Sequence, residues 1–367
     1  HFRFQFEPPI TMSRSRPKSS DNRRMTVKDV ATEAGVSTMT VWRVVNGKTN
    51  VKPATREKIE RAIAKVNYQP HIGARLLAGS QSYHLSMIYN NPNVSWMGEL
   101  LIGLMNSCRR TGYHLSVEGV GEVESGSELG SLDQEEVNYL IDQFHVDGFI
   151  LPPPICFDRQ VLEAIAQKNI PCVRIAGTPM GNIDLRVSVD NCAAAYEITN
   201  HLISLGHERI AIIRGPDDYL ATALRHEGFL AALRDNDIAL PDRYIKSGNF
   251  DVESGNESAK ALLSESDRPT AIFASNDEMA AGVLAAAQEA GIRVPDELSV
   301  VGFDDAPIAR SVWPPLTTIR QPLRQIGESA VQLLTDQIKY LKNNSGEAPR
   351  NSCLLYTSDA ADDVSTV

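Results

Sequence analysis

The sequence has few cysteines, and their spacing suits neither a metal site nor a disulfide framework. Five cysteines are spread over 367 residues, at positions 108, 156, 172, 192 and 353, with no C-x-x-C pair and no histidine at metal-ligand spacing. The sequence also lacks a secretory leader and any apolar run near the roughly 18 residues that cross a membrane. We therefore expect a cytoplasmic protein with free thiols, no metal and no membrane span.

Motifs that carry enzyme chemistry are lacking as well. The sequence contains no P-loop, no G-x-G-x-x-G segment after a strand and no G-x-S-x-G turn. Dispersed histidines are more often surface or core residues than catalytic groups, and six fit that description: His84, His114, His145, His201, His207 and His226. We expect neither an enzyme nor a bound cofactor.

Positive charge is scarce overall but concentrated at the N-terminal end. Residues 1–79 hold 15 Lys and Arg against 6 Asp and Glu, whereas the other residues hold 21 against 40. The net charge of −10 therefore combines +9 at that end with −19 elsewhere. A cationic segment attracts the phosphate backbone of nucleic acids, and an acidic one is repelled by it. The asymmetry predicts nucleic-acid binding at one end of the chain.

The basic segment has the pattern of a helix-turn-helix. Residues 26–35 show helical apolar spacing between Thr26, an N-cap, and Gly35, which tolerates positive φ. Residues 37–47 repeat the pattern from the cap Ser37 to an Asn-Gly stop, and a third helix follows Pro53. The predicted core positions of the three helices are Val27, Val30, Ala31, Ala34, Val41, Val44, Val45, Ile59, Ala62, Ile63 and Val66.

Beyond Tyr83, short apolar runs alternate with helical stretches, as in βαβ units around a parallel sheet. Strands are predicted at 84–89, 114–117, 148–151, 172–175, 209–213, 271–274 and 299–303. Helices are predicted at 98–110, 135–144, 161–167, 193–205, 221–234, 278–290 and 323–340. So many alternations exceed one compact sheet. We therefore expect two doubly wound lobes, a fold that binds ligands beyond the carboxyl ends of its strands.

Seven segments, met in order along the chain, carry a family resemblance. They are T-V-K-D-V-A-T-E-A-G-V-S-T-M-T-V-W-R-V-V-N-G from Thr26, K-P-A-T-R-E-K-I from Lys52, N-Y-Q-P from Asn67, A-R-L-L-A-G from Ala74, L-G-H-E-R-I-A from Leu205, S-N-D-E-M-A-A-G from Ser275 and V-P-D-E-L-S-V-V-G-F-D-D from Val294. Together they resemble the lactose/galactose repressor family. The resemblance implies an all-α helix-turn-helix head plus an α/β periplasmic-binding-protein-like sensor with two doubly wound lobes.

The resemblance implies that the second helix lies in the major groove of DNA. The DNA-contacting residues predicted in the head are Thr26, Ser37, Thr38, Met39, Thr40, Trp42, Arg43 and Asn46. Arg43 can bond a guanine edge, and Met39 can contact a thymine methyl. Trp42 stands where the family usually carries a small polar residue, and inward packing competes there with base contact. The hydroxyl side chains either bond phosphates or only cap helices.

Residues 71–78 resemble the hinge of the family, which is too short to form a stable helix alone. We expect it to fold only on DNA. The resemblance implies that Leu77 from each of two subunits wedges into the minor groove at the centre of a near-palindromic operator. A linker residue that packs on the body is the alternative. The predicted DNA contacts of the hinge are His71, Arg75, Leu77 and Ala78.

The family pattern places four effector-binding residues between the lobes: Asn90, Arg225, Asn276 and Asp304. A carboxylate and a guanidinium offer charge-assisted hydrogen bonds to the hydroxyls of a sugar. Three structural alternatives compete: a surface ion pair for Arg225, a helix N-cap role for the neighbouring Asp277, and a turn-forming role for Asp305.

Both ends of the chain depart from the family pattern. Residues 1–11 read like upstream translation, and residues 353–363 resemble a translated sequencing adapter, so we expect the native sequence to end near Ser352. The resemblance implies a closing strand on the second lobe after the last helix, which such a tail is not expected to imitate.

These expectations divide the chain into five segments. They are an N-terminal extension at 1–24, a helix-turn-helix domain at 25–70, a hinge helix and linker at 71–82, a two-lobed effector-binding and dimerisation domain at 83–352, and a non-native tail at 353–367. We expect a repressor that binds double-stranded operator DNA as a homodimer under allosteric control by a small, sugar-like effector. An inducer and a corepressor both fit this interpretation.

Two alternatives compete with it. A purine or nucleoside effector within the same class would be favoured by an aromatic-walled cleft. A sugar-binding protein without a DNA role would share the two lobes but lack the basic head.

Overall fold

The computed structural model describes most of the chain, as two compact units. The described residues are 25–45, 51–66, 68, 82–91, 93–120, 138–139, 141, 145–176, 185–343 and 352–354. One unit ends at Gln81 and the other begins at Ser82; we call them the head and the body.

The head is a three-helix unit around a small apolar core. Its helices are α1 (Val27–Ala34), α2 (Thr38–Val45) and α3 (Pro53–Lys65). The Asp29 carboxylate accepts hydrogen bonds of 2.7 Å from both the backbone N–H and the hydroxyl of Thr26, which fixes the start of α1. The helix ends at Gly35, whose φ is 59°. The buried core is Val30, Ala31, Ala34, Val41, Val44, Ile59, Ala62 and Tyr68. The predicted helix-turn-helix is confirmed, although Val27, Val45, Ile63 and Val66 are only half-buried at its margin.

The body alternates strands and helices along the chain. Its elements are β1 (His84–Tyr89), α4 (Val94–Thr111), β2 (His114–Gly119), β3 (Gly148–Leu151), α5 (Arg159–Gln167), β4 (Cys172–Ile175), β5 (Leu185–Val189), α6 (Asn191–Ser204), β6 (Ile210–Arg214), α7 (Leu220–Asp235), β7 (Ile245–Ser247), α8 (Val252–Leu263), β8 (Ala271–Ala274), α9 (Asp277–Glu289), β9 (Ser299–Asp304), α10 (Pro307–Ser311), β10 (Thr317–Arg320), α11 (Leu323–Asn343) and β11 (Ser352–Leu354).

These strands form two parallel sheets, each the centre of one lobe. In the first lobe the strand order is β11-β5-β4-β3-β1-β2, with α4 and α11 packed on one face and α5 on the other. In the second lobe the order is β10-β9-β8-β6-β7, with α6 and α7 on one face and α8 and α9 on the other. Alternate side chains of each strand enter opposite cores, because both faces of a parallel sheet are covered. The predicted pair of doubly wound lobes is confirmed.

Glycines set how closely the helices of the first lobe pack. A Cβ on Gly103 of α4 would lie 2.1 Å from the backbone oxygen of Arg324, and one on Gly327 of α11 would lie 2.7 Å from the backbone oxygen of Leu100. The two helices therefore cross in backbone contact, which no larger residue allows. This contact fixes the position of α4, whose first turn borders the site described below.

The sequence missed the shorter elements of the body. The strands β5, β7, β10 and β11 and the helices α8 and α10 were not predicted, and most of the predicted helix at 135–144 lies outside the described residues. The missed strands contain three to five residues, and β10 reads Thr-Thr-Ile-Arg, with too few apolar positions for a clear period.

The last strand corrects one expectation. β11 pairs in parallel with β5 in the first lobe, with Ser352 opposite Val187 and Leu354 opposite Val189. The expected return to the second lobe is therefore wrong, and a strand forms from the segment expected not to imitate one. An edge strand needs only its backbone to pair, so its side chains constrain it weakly. The native or foreign origin of residues 353–367 stays a prediction.

Candidate functional site

A cleft lies at the carboxyl ends of both sheets, between the two lobes of the body. It encloses about 630 Å³, its open mouth included. It is lined by Asn91, Asn93, Trp96, Pro153, Ile175, Ala176, Val187, Ser188, Val189, Asn191, Tyr219, Ala221, Arg225, Phe250, Asp304, Gln321 and Ile326. This is the location predicted for a ligand in doubly wound sheets.

Asp304 supplies the buried carboxylate of the cleft. It ends β9 with a φ of 116°, in a region that residues with a side chain rarely adopt. Its Oδ1 accepts a hydrogen bond of 2.5 Å from the side-chain amide of Gln321. Burial raises the pKa of Asp304 to about 7, although Arg225 and the Gln321 hydrogen bond act to lower it.

Arg225 lies beside this carboxylate and is fully engaged. Its Nε donates to Oδ1 of Asn191 over 2.9 Å, and its Nη1 donates to the backbone oxygen of Ser275. Its Nη2 lies 3.6 Å from Oδ1 of Asp304, and the guanidinium carbon lies 3.6 Å from the ring centroid of Phe303. Only 5% of Arg225 is exposed, so the alternative of a surface ion pair is wrong.

The ion pair is tied to the two places where the described part of the chain passes between the lobes. Asn191, which accepts from Arg225, begins α6 directly after the crossing that follows β5. Gln321, which donates to Asp304, lies in the crossing between β10 and α11. A ligand that competes for either charged group would therefore disturb a lobe crossing as well.

Aromatic rings form much of the remaining wall. Trp96 comes from α4 of the first lobe, whereas Tyr219 and Phe250 come from loops of the second. The Tyr219 and Phe250 rings meet edge to face, with centroids 5.3 Å apart. Burial raises the pKa of Tyr219, so its hydroxyl stays protonated at neutral pH. Rings of this kind stack on the apolar faces of sugars and on heterocyclic bases alike.

Two of the four predicted effector residues lie outside the lining of the cleft. Asn90 is buried directly after β1. Asn276 caps α9, accepting from the backbone N–H of Met279 over 3.0 Å, and its amide donates to the backbone oxygen of Phe250 and to Glu278, each over 2.9 Å. Asn276 thus holds the backbone of Phe250, a residue of the aromatic wall, in place. A direct effector contact by either residue stays a prediction.

Asp277 also differs from its expected role as the cap of the same helix. The cap is Asn276, and Asp277 is the first helical residue, fully buried beneath the cleft. Its carboxylate accepts hydrogen bonds from the Thr318 hydroxyl over 2.5 Å and from the backbone N–H of Ala306 over 2.7 Å. Burial and the nearby Asp304 raise the pKa of Asp277 well above its usual range.

The sequence missed several cleft residues, for two reasons. Asn191 and Gln321 follow β5 and β10, two strands that were not predicted, so their places at a carboxyl end could not be inferred. Asn91 and Asn93 follow the predicted strand β1, and the N-N-P-N sequence was a usable signal. The prediction stopped at the first asparagine, which lies outside the lining.

The predicted reading face of α2 is exposed. Thr38, Met39 and Arg43 are exposed, with 57% of Met39 accessible, whereas Trp42 is half-buried. The half-buried ring is compatible with both roles considered for Trp42.

The hydroxyl side chains at the start of α2 bond to each other. Oγ of Ser37 accepts a hydrogen bond of 3.2 Å from the backbone N–H of Thr40, which confirms Ser37 as the helix cap, and lies 2.8 Å from the Thr40 hydroxyl. Phosphate contacts by these residues stay predictions.

The remaining predicted contacts, Asn46, His71, Arg75, Leu77 and Ala78, lie outside the described residues. Within the described ranges, no group of three or more His, Cys, Asp or Glu residues is arranged to hold a metal ion. No helix in those ranges has the length and apolarity to cross a bilayer.

Comparisons with known proteins match both parts of the chain. The model of the family described as "Bacterial regulatory proteins, lacI family" matches residues 26–71, and that of the "Periplasmic binding protein-like domain" matches residues 199–357. The chain is 36% identical to the ribose operon repressor of Escherichia coli K12, over 85% of this chain and 93% of that protein. It is 33% identical to the HTH-type transcriptional repressor PurR of Vibrio vulnificus, over 86% and 92%.

Solved structures give the same result. The lac repressor dimer bound to operator and the anti-inducer ONPF is 30% identical and superposes with a TM-score of 0.68, covering 91% of this chain and 97% of that one. The family predicted from the seven motifs is confirmed. The chain therefore belongs to the lacI family of bacterial regulatory proteins, as a transcriptional regulator with a DNA-binding head and a periplasmic-binding-protein-like sensor.

Proposed function

We propose that this regulator represses transcription as a homodimer on a near-palindromic operator, and that a small molecule in the cleft controls its affinity for DNA. The observation that carries the proposal is the buried Arg225–Asp304 pair at the cleft, tied through Asn191 and Gln321 to both lobe crossings. A ligand bound there prefers one arrangement of the lobes, and by linkage it favours or opposes DNA binding. Since the target is genomic DNA, we place the protein in the cytoplasm.

The DNA contact is assigned to the exposed face of α2. Arg43 offers two parallel donors to a guanine edge, and the basic head adds attraction to phosphates. An operator selected from a random duplex library should bind the full chain with an affinity that falls steeply as salt rises. Absence of salt-sensitive binding to any duplex would overturn the proposal.

Arg43→Ala tests the base contact against a charge-matched control. It should weaken operator binding by about 1–3 kcal/mol and relax specificity at one base position. Arg61→Ala, at an exposed arginine of α3, removes the same charge and should weaken operator and non-specific DNA by the same factor. Fluorescence anisotropy with an operator duplex and a non-specific duplex measures the ratio of the two affinities for each variant. An unchanged ratio for Arg43→Ala would remove Arg43 from base reading.

Leu77 is the proposed minor-groove wedge of the hinge. Leu77→Ala should weaken operator binding by about 1–3 kcal/mol, the scale of one lost specific contact. Leu76→Ala is the matched control, since it deletes the same side chain one position away. Equal affinities of Leu77→Ala and the unmodified chain would refute the wedge.

Dimerisation is assigned to an apolar stripe on α4. Val94, Ile102 and Met105 are spaced along one side of the helix and are 81%, 39% and 60% exposed. The relative named as a lac repressor dimer supports a two-subunit assembly. Met105→Glu should shift the protein to monomer in analytical ultracentrifugation, whereas Leu205→Glu, at an equally exposed residue of the second lobe, should not. A dimer in both variants would place the interface elsewhere.

The effector is proposed to be a neutral sugar. The carboxylate of Asp304 and the amides of Asn91, Asn93 and Gln321 can exchange hydrogen bonds with vicinal hydroxyls, and an aromatic wall can stack on a pyranose or furanose ring. The ribose operon repressor among the relatives supports this class.

A purine or nucleoside is the second candidate, and one observation favours it. The wall contains the rings of Trp96, Tyr219 and Phe250, which fulfils the aromatic-walled condition stated for that alternative. The name of the PurR relative points the same way. Thermal-shift screening of the full chain against matched panels of sugars and nucleosides separates the two, because a ligand raises the unfolding temperature by mass action. Adding each hit to the operator complex then identifies it as inducer or corepressor.

A further inference from the structure

The first turns of α4 and α9 meet at one carboxylate, that of Glu278. Asn93 caps α4 by accepting from the backbone N–H of Trp96 over 2.9 Å, and Asn276 caps α9 in the same way. The amides of both caps donate to Oε2 of Glu278, over 2.9 Å from Asn276 and 3.5 Å from Asn93. The Ser95 side chain lies near enough to the same carboxylate to help lower its pKa, although burial raises that pKa overall.

These contacts join the two lobes. Asn93 and Ser95 belong to the start of α4 in the first lobe, whereas Asn276 and Glu278 belong to the start of α9 in the second. The hydrogen bond from Asn93 and the approach of Ser95 to Glu278 therefore exist only while the lobes keep this arrangement. The bond from Asn276 lies within one lobe and holds the carboxylate in place as the lobes move.

The electrostatics of the helix ends favour a carboxylate at this position. The first turn of a helix carries a partial positive charge and unpaired backbone N–H groups. The first turn of α4 contains no acidic residue of its own. That of α9 contains Asp277 and Glu278, but Asp277 points inward to Thr318 and Ala306. Glu278 thus supplies negative charge to two helix ends that would otherwise meet with like partial charges.

We infer that Glu278 is a lobe-positioning residue: its carboxylate fastens the first turn of α4 to that of α9 and stabilises the lobe arrangement seen here against the alternative one. This inference rests on the proposed function for its consequence. A ligand or operator that prefers the alternative arrangement must break the contacts of Glu278, so the residue sets how far the effector shifts DNA affinity.

The test measures the distance between the lobes in the full chain without ligand or DNA. Gln160 on α5 and Glu257 on α8 are exposed, and each is replaced by a spin-labelled unnatural residue. Unlabelled protein is added in excess, so that a dimer carries one labelled chain. Pulsed electron resonance then gives the distribution of interlobe distances.

Glu278→Gln removes the charge and keeps the shape of the side chain. The ratio of the populations of the two lobe arrangements should shift by roughly tenfold. This is the effect expected when a charged group at a helix N-terminus loses its charge and its charge-assisted hydrogen bonds. Glu289→Gln, at the other end of α9, is the matched control, because its ion pair with Lys260 is exposed and lies within one lobe. The control should leave the distribution unchanged.

Ser95→Ala supplies a second, uncharged variant in case Glu278→Gln does not fold. It deletes one donor from the opposite lobe and should shift the distribution in the same direction by a smaller factor. In the double variant the two shifts should be less than additive in free energy, because both remove the same contact. An unchanged distribution in both single variants would overturn the inference.

A failure of the proposed function would look different. If the unmodified chain binds no duplex, the regulator role fails while the interlobe distances still test Glu278. If it binds duplex with salt dependence but Glu278→Gln and Ser95→Ala both keep the distances, only the lobe-positioning role of Glu278 fails.

Discussion

The two lobes share one architecture but contribute different chemistry to the cleft. The second lobe supplies the buried charges, Arg225 and Asp304, which are 5% and 6% exposed. The first supplies neutral groups, the amides of Asn91 and Asn93 and the ring of Trp96. Buried charge in the lining of the cleft is thus confined to one wall, and the facing wall adds no further desolvated charge.

The strongest test of this comparison removes a buried charge, that of Asp304, from the second lobe. Asp304→Ala leaves the Arg225 guanidinium buried without its carboxylate and should lower the free energy of unfolding by about 3–5 kcal/mol. Asp217→Ala removes the 81% exposed partner of Arg214 and should cost at most about 1 kcal/mol. Chemical denaturation with urea measures both. Similar losses in the two variants would mean that burial adds nothing to the pair.

A substitution in the first lobe tests whether its wall depends on helix packing. Gly103→Ala forces a Cβ against the backbone of Arg324 and should destabilise the protein by about 1–3 kcal/mol, displacing the turn that carries Asn93 and Trp96. Gly98→Ala is the control on the same helix, where a Cβ meets nothing of its own chain within 4 Å, and should stabilise by up to about 1 kcal/mol. Both variants are made in the Met105→Glu background, so that the proposed dimer contact does not affect the comparison. Thermal unfolding with calorimetry gives both values. Equal tolerance at the two sites would contradict the backbone contact.

Titration sharpens the comparison through the charge of Asp304, with a small effect at each step of pH. Burial raises the pKa of Asp304 to about 7. A carboxyl with a raised pKa binds its proton more tightly in the folded state, so its contribution to stability is complete at low pH and is lost as pH rises through about 7. The unmodified chain should therefore lose stability relative to Asp304→Asn as pH rises from about 5 to 8, by at most about 1.4 kcal/mol per pH unit.

The difference between these two proteins reports Asp304 together with the neighbouring Asp277, whose pKa Asp304 raises. His207 and His226, whose pKa values are lowered by burial, contribute equally to both. Denaturation curves at several pH values test the slope. A difference that stays constant over the range would show Asp304 ionised throughout, with Arg225 outweighing burial.

Much of the fold could be predicted from local patterns of apolar residues in the sequence. Strands such as Gly148–Leu151 and Ala271–Ala274 appear as predicted, because short apolar runs between helical stretches have few other solutions in a protein of this length. The strand β10, with one apolar residue in four, escaped because pairing rather than composition makes it a strand. The strand β5 does alternate apolar and polar residues, but over only five positions, and it was missed. Asn191 and Gln321 escaped with them, since a residue joins the cleft by following a strand.

The sequence by itself determined the family, the helix-turn-helix and the choice of Arg225 and Asp304 as cleft residues, because these depend on ordered motifs and on the 3.6-residue period of a helix. Only the tertiary structure decided which polar groups face the ligand space. Asn276 and Asp277 are adjacent in the S-N-D motif, yet one caps a helix and the other lies buried beneath the cleft, and neither lines it. The physical reason is that burial and hydrogen-bond partners arise from chain segments brought together by folding, which spacing along one segment does not contain.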